Sequence, residues 1–153
     1  MQGRLSAKVD GKIQAFPWFS WENEFGLAEK NGFSIFEWTI DQDNLYQNPL
    51  MTVEGQTKIQ DLCQRHGISI PSLTGDCFMQ APFWKVHGSE GSELKEDFRC
   101  IIEACSAVGI STIVMALVDG GSLETRTQED LLINFLKDHS EFLSRNNLRI
   151  AFE

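Results

Sequence analysis

Positive charge is scarce in this chain: 13 Lys and Arg stand against 22 Asp and Glu, a net charge of −9. That balance opposes non-specific nucleic-acid binding, which needs cations to neutralise phosphates. It equally disfavours docking on anionic membranes. No run approaches the ~20 continuous apolar residues of a membrane span. The opening MQGRLSAKVDGK has no apolar signal-peptide core, so the expectation is a cytoplasmic protein. The four cysteines (Cys63, Cys77, Cys100, Cys105) form no C-x-x-C pair and have no His at zinc spacing. Structural disulfides are therefore not expected. No G-x-G-x-x-G occurs anywhere, which removes the dinucleotide-binding fingerprint.

What is present is a succession of helical and strand patterns in 153 residues, enough for one domain with a core. Trp21, Phe25 and Ala28 share one helical face, and FSIFEWTI (33–40) reads as a strand rich in aromatic and β-branched residues. The polar stretch from Asp41 to Pro49 reads as a loop. Thr52 is placed to cap a second helix, with Glu54 in its first turn and Ile59, Leu62, Cys63 and His66 inward. A strand at Ile68 runs into a loop bracketed by Gly75 and Pro82. That loop holds Asp76, Cys77 and Gln80 among Phe78, Met79, Phe83 and Trp84. A strand ending in a partly apolar loop with a carboxylate at its root is a common pocket floor.

Further on, Glu93 is expected to open a third helix with the stripe Leu94, Phe98, Ile101, Ile102, Cys105 and Val108. ISTIVMALV (110–118) is apolar enough for a strand covered on both faces. Thr127 with Asp130 suggests a capping box for a fourth helix carrying Leu131, Leu132, Phe135, Leu136, Phe142 and Leu143. Leu148 to Phe152 is a last strand, reaching Glu153.

The helix-to-strand punctuation recurs at Gly32, Gly67, Gly109 and Asn147, at intervals of 35, 42 and 38 residues. Each interval is one βα unit. Alternation of this kind means a parallel α/β sheet. Two architectures fit: an open doubly wound sheet, or part of a (β/α)8 barrel, whose eight units need about 250 residues. The missing glycine-rich loop and the final uncovered strand favour the partial barrel, with about four βα units plus a fifth strand. Residues 1–153 then read as one incomplete barrel domain, the N-terminal half without its C-terminal half.

The segments QGRLS, FEW, IPSLTGDCFMQAPFW and LRIAFE, each at a predicted strand end, resemble the sugar-phosphate isomerase/epimerase family. These are xylose isomerase-like TIM barrels that include ketose 3-epimerases and pentulose-5-phosphate epimerases. The resemblance implies a small-molecule sugar or sugar phosphate as substrate and a divalent metal of the Mn, Mg or Co type. It gives Glu153 the place of a glutamate that ligates the metal and takes part in proton transfer through an enediolate. Its other ligands would lie on later strands. Arg4, Glu37, Ser72 and Asp76 are the candidate substrate-binding residues. The reading with no functional role makes Glu153 a terminal carboxylate, Glu37 a solvated strand end and Arg4 a solvated cation. It makes Ser72 a hydroxyl bonded to backbone after Pro71, and Asp76 an Asx turn.

Trp38 and His66 read as structural, His87 and His139 have no partner at ligand spacing, and Cys77 has no identifiable base. Competing functions are a related lyase or dehydratase, a metal-dependent endonuclease disfavoured by charge, and a non-catalytic half-barrel that assembles as a homo-oligomer.

Overall fold

A computed structural model describes residues 5–8 and 16–153. Four parallel strands form one sheet: β1 (Ile35–Thr39), β2 (Ser69–Thr74), β3 (Thr112–Met115) and β4 (Arg149–Phe152). The spatial order β1-β2-β3-β4 is the chain order and never reverses. Since crossovers between parallel strands are right-handed, an order without reversal winds every crossover the same way around the sheet. An open doubly wound sheet needs a reversal. The architecture is the arc of a barrel.

α1 (Trp21–Lys30) precedes β1, and the crossovers carry α2 (Val53–His66), α3 (Asp76–Gln80), α4 (Gly88–Val108), α5 (Arg126–Asp138) and α6 (Ser140–Arg145). All four punctuation residues stand in the left-handed region: Gly32 at φ 77°, Gly67 at 62°, Gly109 at 84° and Asn147 at 54°. Glycine adopts that conformation without a Cβ penalty, and Asn tolerates it better than most residues. Each turn ends a helix and sends the chain directly toward the sheet.

The inward faces are those the periodicity indicates. Phe25 and Ala28 of α1, Ile59 and Leu62 of α2, and Phe98, Ile101, Ile102 and Cys105 of α4 are buried in one core with Leu73, Ile113 and Met115 of the sheet. The Thr52 side chain accepts from the Gly55 amide, capping α2 as expected.

Several boundaries differ. The stretch after β2 is not all loop: residues 76–80 wind into α3, held when the Cys77 amide donates to the Ile40 carbonyl at 3.0 Å. α4 begins at Gly88 instead of Glu93; its first turn is written in Gly and Ser, weak helix formers. Gly91 lets that turn press against Val86, whose carbonyl oxygen would lie 3.0 Å from an added Cβ. The capping box of α5 is Thr125 with Gln128, not Thr127 with Asp130. The expected fourth helix is two helices meeting at His139, and Leu131 on it is exposed. Of the strand expected over 110–118, β3 takes only Thr112–Met115, and past it the Leu117 amide donates to the Glu153 carbonyl. Of the first predicted strand, Leu5 and Ser6 form a bend, and residues 1–4 fall outside the described residues, as does the turn read at 9–12.

Candidate functional site

In the sheet register Glu37 of β1 lies beside Ser72 of β2, and Thr39 beside Thr74. Side chains two apart on a strand share a face, so Ser72 and Thr74 both reach the same neighbour. The Ser72 hydroxyl donates to one Glu37 carboxylate oxygen at 2.6 Å. The Thr74 hydroxyl donates to the other at 2.7 Å. Thr74 is buried, while Glu37 and Ser72 are half-buried. Glu37 is thus a carboxylate held in one orientation by the sheet, which sets aside the reading as a freely solvated strand end. Ser72 bonds a side chain, not the backbone expected on the structural reading.

Asp76 follows at the start of α3. Gly75 makes the tight approach possible: its amide donates to the Val114 carbonyl at 2.9 Å. A Cβ there would fall 2.6 Å from the Phe78 ring. Burial raises the Asp76 carboxyl above its ordinary range, and the neighbouring Asp41 adds to this; a Thr39 hydroxyl hydrogen bond opposes it, and Glu153 and Glu37 push the same way more weakly. Asp76 therefore feels three other carboxylates at the C-terminal ends of β1, β2 and β4. Asp41 in turn accepts from the Gln80 side-chain amide at 2.7 Å, and Gln80 accepts from the Gln42 amide at 2.8 Å. This clip fixes the loop leaving β1 against α3.

Glu153 extends the ladder by one residue. Its amide donates to the Met115 carbonyl at 3.2 Å, and its own carbonyl accepts from Leu117 at 2.9 Å. Its position is set by the sheet, not frayed. Arg4 falls outside the described residues. The chain just after it is tied down: the amides of Leu5 and Ser6 donate to the buried Glu24 carboxylate at 2.7 and 3.1 Å.

The structural readings hold for the others. Trp38 is buried and donates its indole N–H to Asn48 at 3.0 Å. His66 meets Glu29 at 2.7 Å, and His139 lies against the Phe135 carbonyl at 2.8 Å. Cys77 is buried, and burial pushes its thiol well above the usual range, so it is not poised as a nucleophile. The four cysteines are free.

Sequence reading missed Thr74 and Asp41. The first was within reach, because residue 74 shares a strand face with Ser72. Asp41 needed the Gln80 contact, 39 residues away, which no local pattern reports.

Among the described residues no group of three or more His, Cys, Asp and Glu is disposed to hold an ion. Glu37 accepts from two hydroxyls. Glu153 contributes one carboxylate, and the described residues do not by themselves fit a metal site.

Among the described residues no helix is long and apolar enough to cross a membrane. No curated protein matches this chain. Residues 25–153 match the family described as Xylose isomerase-like TIM barrel, which includes sugar isomerases and epimerases and is generally enzymatic. With the family's match spanning nearly the whole ordered sheet and its helices, the chain belongs to the xylose isomerase-like TIM barrel family.

Proposed function

We propose that the strand ends around Glu37 form one side of a sugar-binding mouth, in an isomerase or epimerase acting on a sugar or sugar phosphate. The observation that carries this is the clamped carboxylate. Ser72 and Thr74 each occupy one lone-pair direction on Glu37. An ionised carboxylate has about four such sites, which leaves acceptor capacity for a ligand. A fixed acceptor is suited to a polyol, because the cost of orienting the group is met in the folded protein before the ligand arrives. Asp76, with its raised carboxyl, follows Thr74 by two residues and offers a group able to donate when protonated and accept when ionised.

Glu153 is the proposed proton acceptor. Its carboxylate takes the proton from the carbon next to a ketose carbonyl, and the electron pair of that C–H bond moves into the carbonyl to give an enediolate. The Glu153 carboxyl so formed can return its proton only on its own face. Delivered to the neighbouring carbon, with a proton moved between the two enediolate oxygens, that proton gives the isomer; the epimer requires a second acid on the opposite face of the original carbon. A divalent cation would polarise the carbonyl if bound, but the described residues supply no complete donor set for it.

Backbone-amide NMR titration with an unphosphorylated ketose and with a ketose phosphate, each with and without Mg²⁺, tests the reading. Saturable shifts are expected at Glu37 and at residues 72–76. Glu37→Gln should weaken them by about tenfold, the order of one charged hydrogen bond. Titrations that leave these residues unmoved by either sugar class would overturn the proposal.

A further inference from the structure

Asp97 stands on α4, away from the strand ends, yet both its carboxylate oxygens accept from the loop that leaves β1. The Tyr46 hydroxyl donates to one oxygen, and the Gln42 side-chain amide donates to the other at 3.1 Å. Asp97 is half-buried, and among the described residues it makes no ion pair; Arg99, two residues on, pairs with Glu96 at 3.6 Å. An ionised acceptor makes stronger hydrogen bonds than a neutral one, and here both bonds serve one short segment. Between the two donors the backbone reverses. Asn44 stands in the left-handed region at φ 58°, and the Leu45 amide donates to the Gln42 carbonyl at 3.3 Å. Asp97 is itself aimed by its neighbour: Phe98 is buried against Phe78, Phe83 and Phe135, which fixes the rotation of α4 about its axis.

The hold extends past Gln42. Its backbone amide donates to the Gln80 side chain at 2.8 Å, and Gln80 donates to Asp41 at 2.7 Å. Next to Asp41, the Ile40 amide donates to the Thr74 carbonyl at 3.2 Å, and the Ile40 carbonyl accepts from the Cys77 amide at 3.0 Å. Residues 40–41 are therefore fixed alongside residues 74–77, with Asp41 on the side of Asp76. One series of hydrogen bonds runs from the flank of α4 to the root of α3.

We propose that Asp97 is a positioning residue for the candidate site: through Gln42 and Tyr46 it holds the loop after β1, and through Gln42 and Gln80 it keeps the Asp41 carboxylate beside Asp76. Its influence reaches Asp76 by way of Asp41, which with Glu153 and Glu37 makes up the charged groups acting on that carboxyl. The proposal rests on the sugar reading for the use made of Asp76. Its test needs no sugar, so either can fail while the other stands.

The test is carbon-detected NMR of the side-chain carboxyls, following Asp76 against pH; its resonance is the one missing from Asp76→Asn. Burial and then Asp41 raise the Asp76 carboxyl, so releasing Asp41 should lower its midpoint. Asp97→Ala should produce that fall, with circular dichroism confirming the fold. Gln42→Ala should produce it too, with no change of charge, and it carries the test alone if Asp97→Ala fails to fold. Glu96→Ala removes the same charge one residue away and should leave the midpoint in place. A midpoint unmoved by Asp97→Ala and Gln42→Ala overturns the proposal. So does a fall with Asp97→Ala that Gln42→Ala does not share, or an equal fall with Glu96→Ala, which would be the general effect of one negative charge fewer.

Discussion

One sheet carries two different rows of side chains, read across the same four strands. Trp38, Leu73, Ile113 and Ile150 are register partners, and the first three are buried beneath the helices. One residue earlier on each strand the row is Glu37, Ser72, Thr112 and Arg149, none of them buried. Parallel strands usually bury apolar residues on both faces, and barrel interiors are normally filled with branched apolar side chains. The second row departs from that. Its hydroxyls and charges do nothing for a hydrophobic core, and the hydrogen bonds from Ser72 and Thr74 orient its carboxylate, Glu37. The apolar row stabilises the fold, and the polar row is available for chemistry.

The largest expected effects separate the rows directly. Leu73→Ala should cost about 2–5 kcal/mol, the range for emptying a fully buried leucine site. Thr112→Ala, one strand over on the other face, should stay within about 0.5 kcal/mol. Urea denaturation of both variants decides it, and equal losses would mean that the two faces are not differently packed. Next comes the buried polar link on the helix side. Asn48 accepts from the Trp38 indole at 3.0 Å and from the Leu50 amide at 3.1 Å. Asn48→Ala leaves both donors unmatched in the core, which should cost roughly 1–3 kcal/mol. Tryptophan fluorescence would report the altered Trp38 environment in the still-folded variant.

A smaller effect tests the clamp itself. Thr74→Val keeps the shape and removes the hydroxyl that Glu37 uses, and Ser72→Ala removes the other. Each should cost about 1 kcal/mol. Because both act on the same carboxylate, the double variant should not be the sum of the singles. Strict additivity in a double-mutant cycle would show that Ser72 and Thr74 do not share Glu37 as a partner.

The fold was legible because its signals are local and repeated. Left-handed turns at Gly32, Gly67, Gly109 and Asn147 mark every return to the sheet, and helix stripes such as Phe98, Ile101, Ile102 and Cys105 name their own buried face. The boundaries at Gly88 and Thr125 were less legible. Weak helix formers hid the first, and two overlapping Thr-x-x-polar patterns offered the wrong cap for the second. The candidate site was legible only in part. Glu37, Ser72 and Asp76 stand at strand ends and could be singled out one by one. That Ser72 and Thr74 both serve Glu37 depends on the register between β1 and β2, across 35 and 37 residues of sequence. Asp41 came into view only through Gln80.

The smallest expected effect is a matter of sign, and it probes the meeting point of the strand ends. Burial and Asp41 raise the Asp76 carboxyl in the folded state above its ordinary value of 3.8. A folded value above the unfolded one means that the fold favours the protonated form. The favourable contribution is then full below 3.8 and is lost as pH rises through the higher folded value. At neutral pH the ionised Asp76 stands among Asp41, Glu153 and Glu37 with its charge uncompensated. Asp76→Asn removes that charge and keeps an acceptor for the Thr39 hydroxyl. The variant should be more stable than the native chain near neutral pH, and its advantage should shrink as the solution is taken below the ordinary carboxylate value. The other carboxylates titrate in both proteins, so the difference between the two denaturation curves isolates Asp76 and its neighbours. An advantage that grew on acidification would mean that Asp76 is held by a favourable partner, and the convergence of carboxylates at this end of the sheet would have to be abandoned.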